Sequence, residues 1–107
     1  SARGDAVDRQ RSEPVSLEIS HEPDKHRYVL SDGDEFMGEI EYQIDGTRLL
    51  LIRAEVPAEK RGEGLGIPLT RGTLDAIRAE GTYSVTPLCP YIAKYMMKNP
   101  EFDDLKA

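Results

Sequence analysis

A chain of 107 residues has room for one domain with a single core and excludes a second domain. Its 38% hydrophobic and 32% charged residues are a globular mix, no apolar run approaches a membrane span, and no signal-like leader precedes the first element, so a cytoplasmic location is expected. The net charge of −6 argues against nucleic acid as the main partner, and one cysteine, Cys89, with two histidines, His21 and His26, offers neither an internal disulfide nor a metal-ligand cluster.

Residues 1–14 mix Arg3, Arg9 and Arg11 with Asp5, Asp8 and Glu13 and read as a flexible leader, which leaves 15–107 as the domain. Val15, Leu17 and Ile19 alternate with polar residues, the period of a half-buried strand. A turn at Glu22-Pro23-Asp24-Lys25 leads to a second strand, His26 to Leu30. From Phe36 to Ile44 the pattern puts Phe36, Gly38, Ile40, Tyr42 and Ile44 on one face and Met37, Glu39, Glu41 and Gln43 on the other. Asp45-Gly46 then closes a tight hairpin. The fourth strand, Arg48 to Val56, contains Leu49-Leu50-Leu51-Ile52, a run suited to a central strand covered on both faces, and Pro57 ends it.

A helix is predicted over Leu65 to Glu80, with Leu69, Leu74 and Ile77 toward the core and Gly81 as its stop. Tyr83 to Thr86 is a short fifth strand, parallel to the fourth because a strand-helix-strand crossover is right-handed. Pro90 opens a last helix that ends at Lys98 before Asn99-Pro100. The fold class is therefore α+β, an antiparallel four-strand meander followed by an α-β crossover and a C-terminal helix.

Between the fourth strand and the first helix lies Arg61-Gly62-Glu63-Gly64-Leu65-Gly66. Its alternate glycines allow left-handed backbone and close approach of a ligand, and the helix behind it presents unpaired amides and a positive dipole end to an anion. Pro68 fits the first turn, where its missing N–H costs no bond. The alternative is a tight strand-to-helix connection and nothing more. No Lys-Ser or Lys-Thr follows the last glycine, which excludes a P-loop, and Ile67 and Leu69 stand where the dinucleotide pattern needs glycine. Six acids and no Lys or Arg lie between Ser31 and Thr47, which suits either a solvated strand face or a cationic acceptor, whereas Lys60 and Arg61 make the loop locally basic.

Arg61, Gly64 and Gly66 meet the pattern Arg/Gln-x-x-Gly-x-Gly/Ala, which resembles the acetyl-CoA signature of the GNAT superfamily of acyl-CoA-dependent N-acetyltransferases. Glu55-Val56-Pro57, Pro87-Leu88-Cys89-Pro90-Tyr91 and Asn99-Pro100-Glu101-Phe102 narrow the resemblance to a branch of small, single-domain proteins with a cysteine before the last helix. The match runs from about Tyr28 to Leu105. It implies a mixed sheet whose fourth and fifth strands splay apart, with the pantetheine arm of acetyl-CoA bonded to main chain at Ala54, Glu55 and Val56. The pyrophosphate would lie on the amides of Arg61, Gly62, Glu63, Gly64, Leu65 and Gly66.

Three catalytic candidates follow. Cys89, at the start of the last helix, feels a dipole that favours the thiolate; it would accept the acyl group or line the pocket, or it is a plain buried cysteine. Tyr95 resembles the last-helix tyrosine that protonates the departing thiolate in many members, with Tyr91 as a weaker substitute; the alternative, which the spacing alone favours, is core packing with the hydroxyl at the surface. Much of the superfamily places a glutamate base in the middle of the fourth strand, but Leu49 to Ile52 holds no carboxylate, so Glu55 is the nearest replacement. Arg53-Ala54 also stands where the branch commonly has His-Thr.

The function implied is transfer of an acetyl group from acetyl-CoA to an amine, either a small molecule such as a polyamine or a protein lysine. The alternative is an acyl-CoA-binding or protein-interaction module with little transferase activity, which the missing mid-strand carboxylate favours. A cysteine hydrolase pairing His21 or His26 with Cys89 has only the presence of those residues behind it.

Overall fold

The computed structural model describes residues 16–106; the leader expected over 1–14 falls outside the described residues. β1 (Leu17–Glu22), β2 (Arg27–Asp32), β3 (Glu35–Asp45) and β4 (Arg48–Glu55) form an antiparallel meander, and β5 (Ser84–Pro87) joins β4 in parallel. Sheet order thus follows chain order, β1-β2-β3-β4-β5, with the single crossover made by helix α1 (Gly66–Glu80). Helix α2 (Pro90–Lys98) and a 3-10 turn (Pro100–Leu105) complete the chain. This is the α+β mixed sheet expected from the sequence, and no helix among the described residues is long and apolar enough to cross a membrane.

The helices gather on one face of the sheet. Leu69, Leu74 and Ile77 of α1 and Ile92 and Met96 of α2 pack with Tyr28, Ile40, Leu49, Leu51 and Val85 in one buried cluster. Each such aliphatic side chain contributes roughly 1.5–3 kcal/mol of burial. Phe102 is fully buried beneath the pair, its ring tilted against Tyr95 and flanked by the guanidinium groups of Arg71 and Arg78 at 5.2 and 5.1 Å. The 3-10 turn therefore fastens α1 to α2.

Because α1 and α2 lie on that face, β4 is covered on one side only among the described residues. Leu49 and Leu51 are buried, whereas Leu50 and Ile52 are half-buried, so the expected cover on both faces is not found. Two β-bulges correct other expectations. On β3 the pairing steps from Leu30↔Gly38 to Ser31↔Phe36, making Met37 the extra residue. Met37 is buried and Phe36 is 40% exposed, the reverse of simple alternation, because a bulge shifts the pleat by one residue. Ile44, placed on the inner face by the pattern, is 45% exposed near the end of a strand that outruns its cover. On β4 the pairing steps from Tyr42↔Leu51 to Glu41↔Arg53, making Ile52 the extra residue. Beyond it Ala54 returns to the helix side and Arg53 and Glu55 face the open side.

Candidate active site

The Ile52 bulge explains the main feature of the site. β4 pairs with β3 as far as Glu55 but with β5 only as far as Leu51↔Pro87. A bulge bends its strand and increases the local twist. Pro87 has no N–H to extend the ladder, and the next two amides, of Leu88 and Cys89, both converge on the Leu51 carbonyl at 3.0 and 2.9 Å. The strands part there, and the β4 edge from Ile52 to Glu55 is left without a strand partner on the β5 side.

The glycine loop follows the free end of β4. After Pro57 and a 3-10 turn (Ala58–Lys60), Gly62 and Gly64 take φ of +90° and +76°, backbone that side chains disfavour. Nothing lies within 4 Å of where a Cβ would project from either, so the loop surface is open. Leu65 is the N-cap of α1 and gives no side-chain hydrogen bond to the first amides, which keeps them available to a ligand. The local basicity expected of the loop is largely used internally: Lys60 pairs with Glu35, and Arg61 Nε donates to the Val56 carbonyl at 3.2 Å.

Between α1 and α2 lies a cavity of about 370 Å³ lined by Ile67, Arg71, Tyr91, Lys94, Tyr95, Lys98 and Asn99. Among the described residues three cations and no carboxylate line it. Arg71 also bonds Glu101 at 2.7 Å and holds that carboxyl below the usual range. Tyr91, Lys94, Tyr95 and Lys98 fall at i, i+3, i+4 and i+7, one helix face, so the cationic wall was readable from spacing although not singled out by it.

The structure places the three catalytic candidates differently. Cys89 is the N-cap of α2, half-buried against the core, and its carbonyl accepts the Ala93 amide at 2.9 Å. Tyr95 stands on the wall of the α1–α2 cavity, half-buried, its ring 6.1 Å from that of Phe102. Glu55 is exposed and lines a separate hollow of about 280 Å³ with Phe36, Glu39, Val56, Pro57, Ala58 and Arg61. Tyr95 and Glu55 are not brought into one cavity.

The acids between Ser31 and Thr47 are mostly neutralised. Glu35, Glu39, Glu41 and Asp45 pair with Lys60, Arg27, Arg53 and Arg48 respectively, which matches the reading of a solvated strand face. A hydrolase built on His21 or His26 with Cys89 is not assembled. Both histidines pack around Tyr42 near the β1 side of the sheet, and Cys89 follows β5 at the opposite edge.

A family model described as GCN5-related N-acetyl-transferase matches residues 27–105. Among solved structures, a GCN5-like protein from Staphylococcus aureus, determined in solution by NMR, superposes with a TM-score of 0.61 at 20% identity, over 85% of this chain and 88% of its own. The ribosomal-protein-S18-alanine N-acetyltransferase from Escherichia coli superposes with a TM-score of 0.52 at 17% identity, over 68% of this chain and 50% of its own, so the present chain spans half the length of that enzyme. At these identities the likeness concerns the fold. No curated protein matches the chain.

Proposed function

The chain belongs to the family of GCN5-related N-acetyltransferases and is an N-acetyltransferase by that membership; from this premise we propose that acetyl-CoA is its donor and that the glycine loop and the parted strands are where it binds. The observation that carries the proposal is the meeting, at one end of the sheet, of a left-handed glycine loop, a helix start without a side-chain cap, and a β4 edge freed from β5. Acetyl-CoA supplies an activated thioester on a phosphorylated carrier. Amides of Arg61 to Gly66 suit its pyrophosphate, and Arg71, Lys94 and Lys98 offset its charge. The Ala54 and Glu55 main chain suits the amides of its arm, while the Val56 carbonyl already accepts from Arg61.

In the transfer, the acceptor nitrogen bonds to the thioester carbonyl, the C–S bond breaks, and the nitrogen's proton leaves. Glu55, on the open side of β4, takes that proton directly or through water; Tyr95, on the helix side, returns one to the departing sulfur. Cys89 stands at the N-terminus of α2, where its thiol is positioned either to take the acetyl group first or to line the passage. The acceptor is an amine that need not enter a deep cavity, because among the described residues no helix covers the sheet face at Glu55; a polyamine and a protein lysine both fit. The cytoplasm, where acetyl-CoA and such amines meet, is the compartment we assign.

The test is intact mass spectrometry after incubation with acetyl-CoA, together with calorimetric titration of CoA, on wild type and Cys89→Ala. Binding with an acetyl adduct that vanishes in Cys89→Ala establishes the thiol relay. Binding without an adduct, followed by acetylation of an added amine, establishes direct transfer. Binding with no acetylation of any amine supports the second reading, a CoA-binding module, which the absence of a carboxylate in Leu49 to Ile52 favours. Absence of binding removes the cofactor assignment.

A further inference from the structure

Tyr91, the second residue of α2, reaches across to the first turn of α1. A Cβ placed on Gly66 would stand 2.6 Å from the Tyr91 hydroxyl and 2.9 Å from Cζ, closer than side-chain carbons approach other atoms. Gly66 therefore serves a purpose different from Gly62 and Gly64. Its φ is not positive; what it provides is contact, letting a phenol lie against the first residue of the helix. The ring is 46% exposed and forms part of the wall of the α1–α2 cavity beside Lys94 and Tyr95. Its hydroxyl is thus held at the junction of the glycine loop, the uncapped amides of α1 and a cavity wall of three cations.

We propose that Tyr91 is a cofactor-contacting residue whose hydroxyl donates a hydrogen bond to the pyrophosphate seated on the first amides of α1, and that Gly66 exists to admit it there. This rests on the assignment of the glycine loop to acetyl-CoA. A hydroxyl beside an anion adds a charge-assisted bond, whereas an aliphatic side chain at the same point leaves the anion to the main chain and the cations alone. The contact also spans the two helices that bound the cavity, so the same side chain fixes their separation at the loop end.

The experiment is calorimetric titration of CoA and of dephospho-CoA, which lacks the 3′-phosphate but keeps the pyrophosphate, into wild type, Tyr91→Phe, Gly66→Ala and the double variant. Tyr91→Phe removes only the oxygen and is expected to weaken both ligands by about tenfold, the size of one hydrogen bond to a charged group. Gly66→Ala displaces the far end of a flexible side chain without changing loop conformation, and is expected to give the same loss. The double variant is expected to lose no more than either single one, since both remove one contact. Melting temperatures close to wild type separate this from unfolding. Equal affinity of Tyr91→Phe and wild type overturns the proposal, as does tighter binding, which would make the phenol an obstruction. A loss confined to CoA moves the contact to the 3′-phosphate and overturns it as stated. Failure of wild type itself to bind CoA removes the cofactor assignment, whereas wild-type binding with an unaffected Tyr91→Phe removes only this proposal.

Discussion

The two ends of α1 are finished in opposite ways. At its N-terminus Leu65 offers no side-chain bond to the first amides, and the glycine loop leaves open space at Gly62 and Gly64. At its C-terminus both main chain and side chain are engaged. Gly81 turns left-handed at φ +68° and its amide bonds the Ile77 carbonyl at 3.1 Å. Glu80 accepts the Tyr28 hydroxyl at 2.8 Å and meets His21 Nδ1 at 3.1 Å, while His21 Nε2 lies 2.6 Å from the Tyr42 hydroxyl. The His21 ring stacks on Tyr28 with centroids 4.1 Å apart. One end is anchored to three strands through a carboxylate, an imidazole and two phenols; the other carries no side-chain cap. A helix held firmly at its far end can keep its near end ready for an anion without a side-chain cap.

Breaking the near end should give the largest effect. Gly64→Val puts a β-branched side chain at φ +76°, a backbone cost of roughly 1–2 kcal/mol per residue in such conformations. The loop is expected to relax out of its ligand-ready form and CoA affinity to fall on the order of 100-fold, about 2.7 kcal/mol, in calorimetric titration. The urea midpoint should move by no more than the backbone cost. Equal CoA affinity would detach the loop from cofactor binding.

Breaking the far end should do the converse. Glu80→Ala leaves the fully buried Tyr28 hydroxyl without its acceptor, and a loss of about 2 kcal/mol in urea unfolding is expected. CoA affinity in the folded protein should hold within a factor of about two, the scatter expected of distant sites. A large loss of affinity would mean that the anchor also sets the loop.

The smallest effect is sought with Tyr28→Phe, expected to cost about 1 kcal/mol at neutral pH. It carries a pH signature. Burial, and then the Glu80 carboxylate, push the Tyr28 phenol well above its ordinary range. A group whose folded value is raised contributes stability below its unfolded value of about 10, and that stability drains away as pH climbs further. Wild type should therefore lose stability above about pH 10, and Tyr28→Phe should lose it less steeply; parallel alkaline curves would exclude Tyr28 as the source.

Much of the frame was legible in the sequence. The Asp45-Gly46 hairpin, the stop at Gly81 and the limits of α2 follow from local turn and cap chemistry, which acts over a few residues. The glycine loop was legible for the same reason. The bulge at Ile52 was not, since no glycine or proline marks it and Leu49 to Ile52 suits any register; that at Met37 had one local signal, the in-strand Gly38 beside it, and in both the register is fixed by pairing with the neighbouring strand. The Glu80 anchor joins residues 52 and 59 positions apart, beyond the reach of local pattern. Tyr91 illustrates a third kind of gap: its helical spacing was visible, but the contact that gives it meaning belongs to Gly66 on another helix.

The extra residue at Ile52 has a further consequence. A strand has two sides, and an even or odd number of steps decides which one a residue sees. From Leu51 to Ala54 the count is three, yet both face the helices, because Ile52 absorbs one step. Were Ile52 paired in regular register instead of bulged, Ala54 would turn out and Glu55 would turn in beneath α1. The sidedness of β4 beyond Leu51, with Ala54 on the helix face and Glu55 on the other, is thus written as parity.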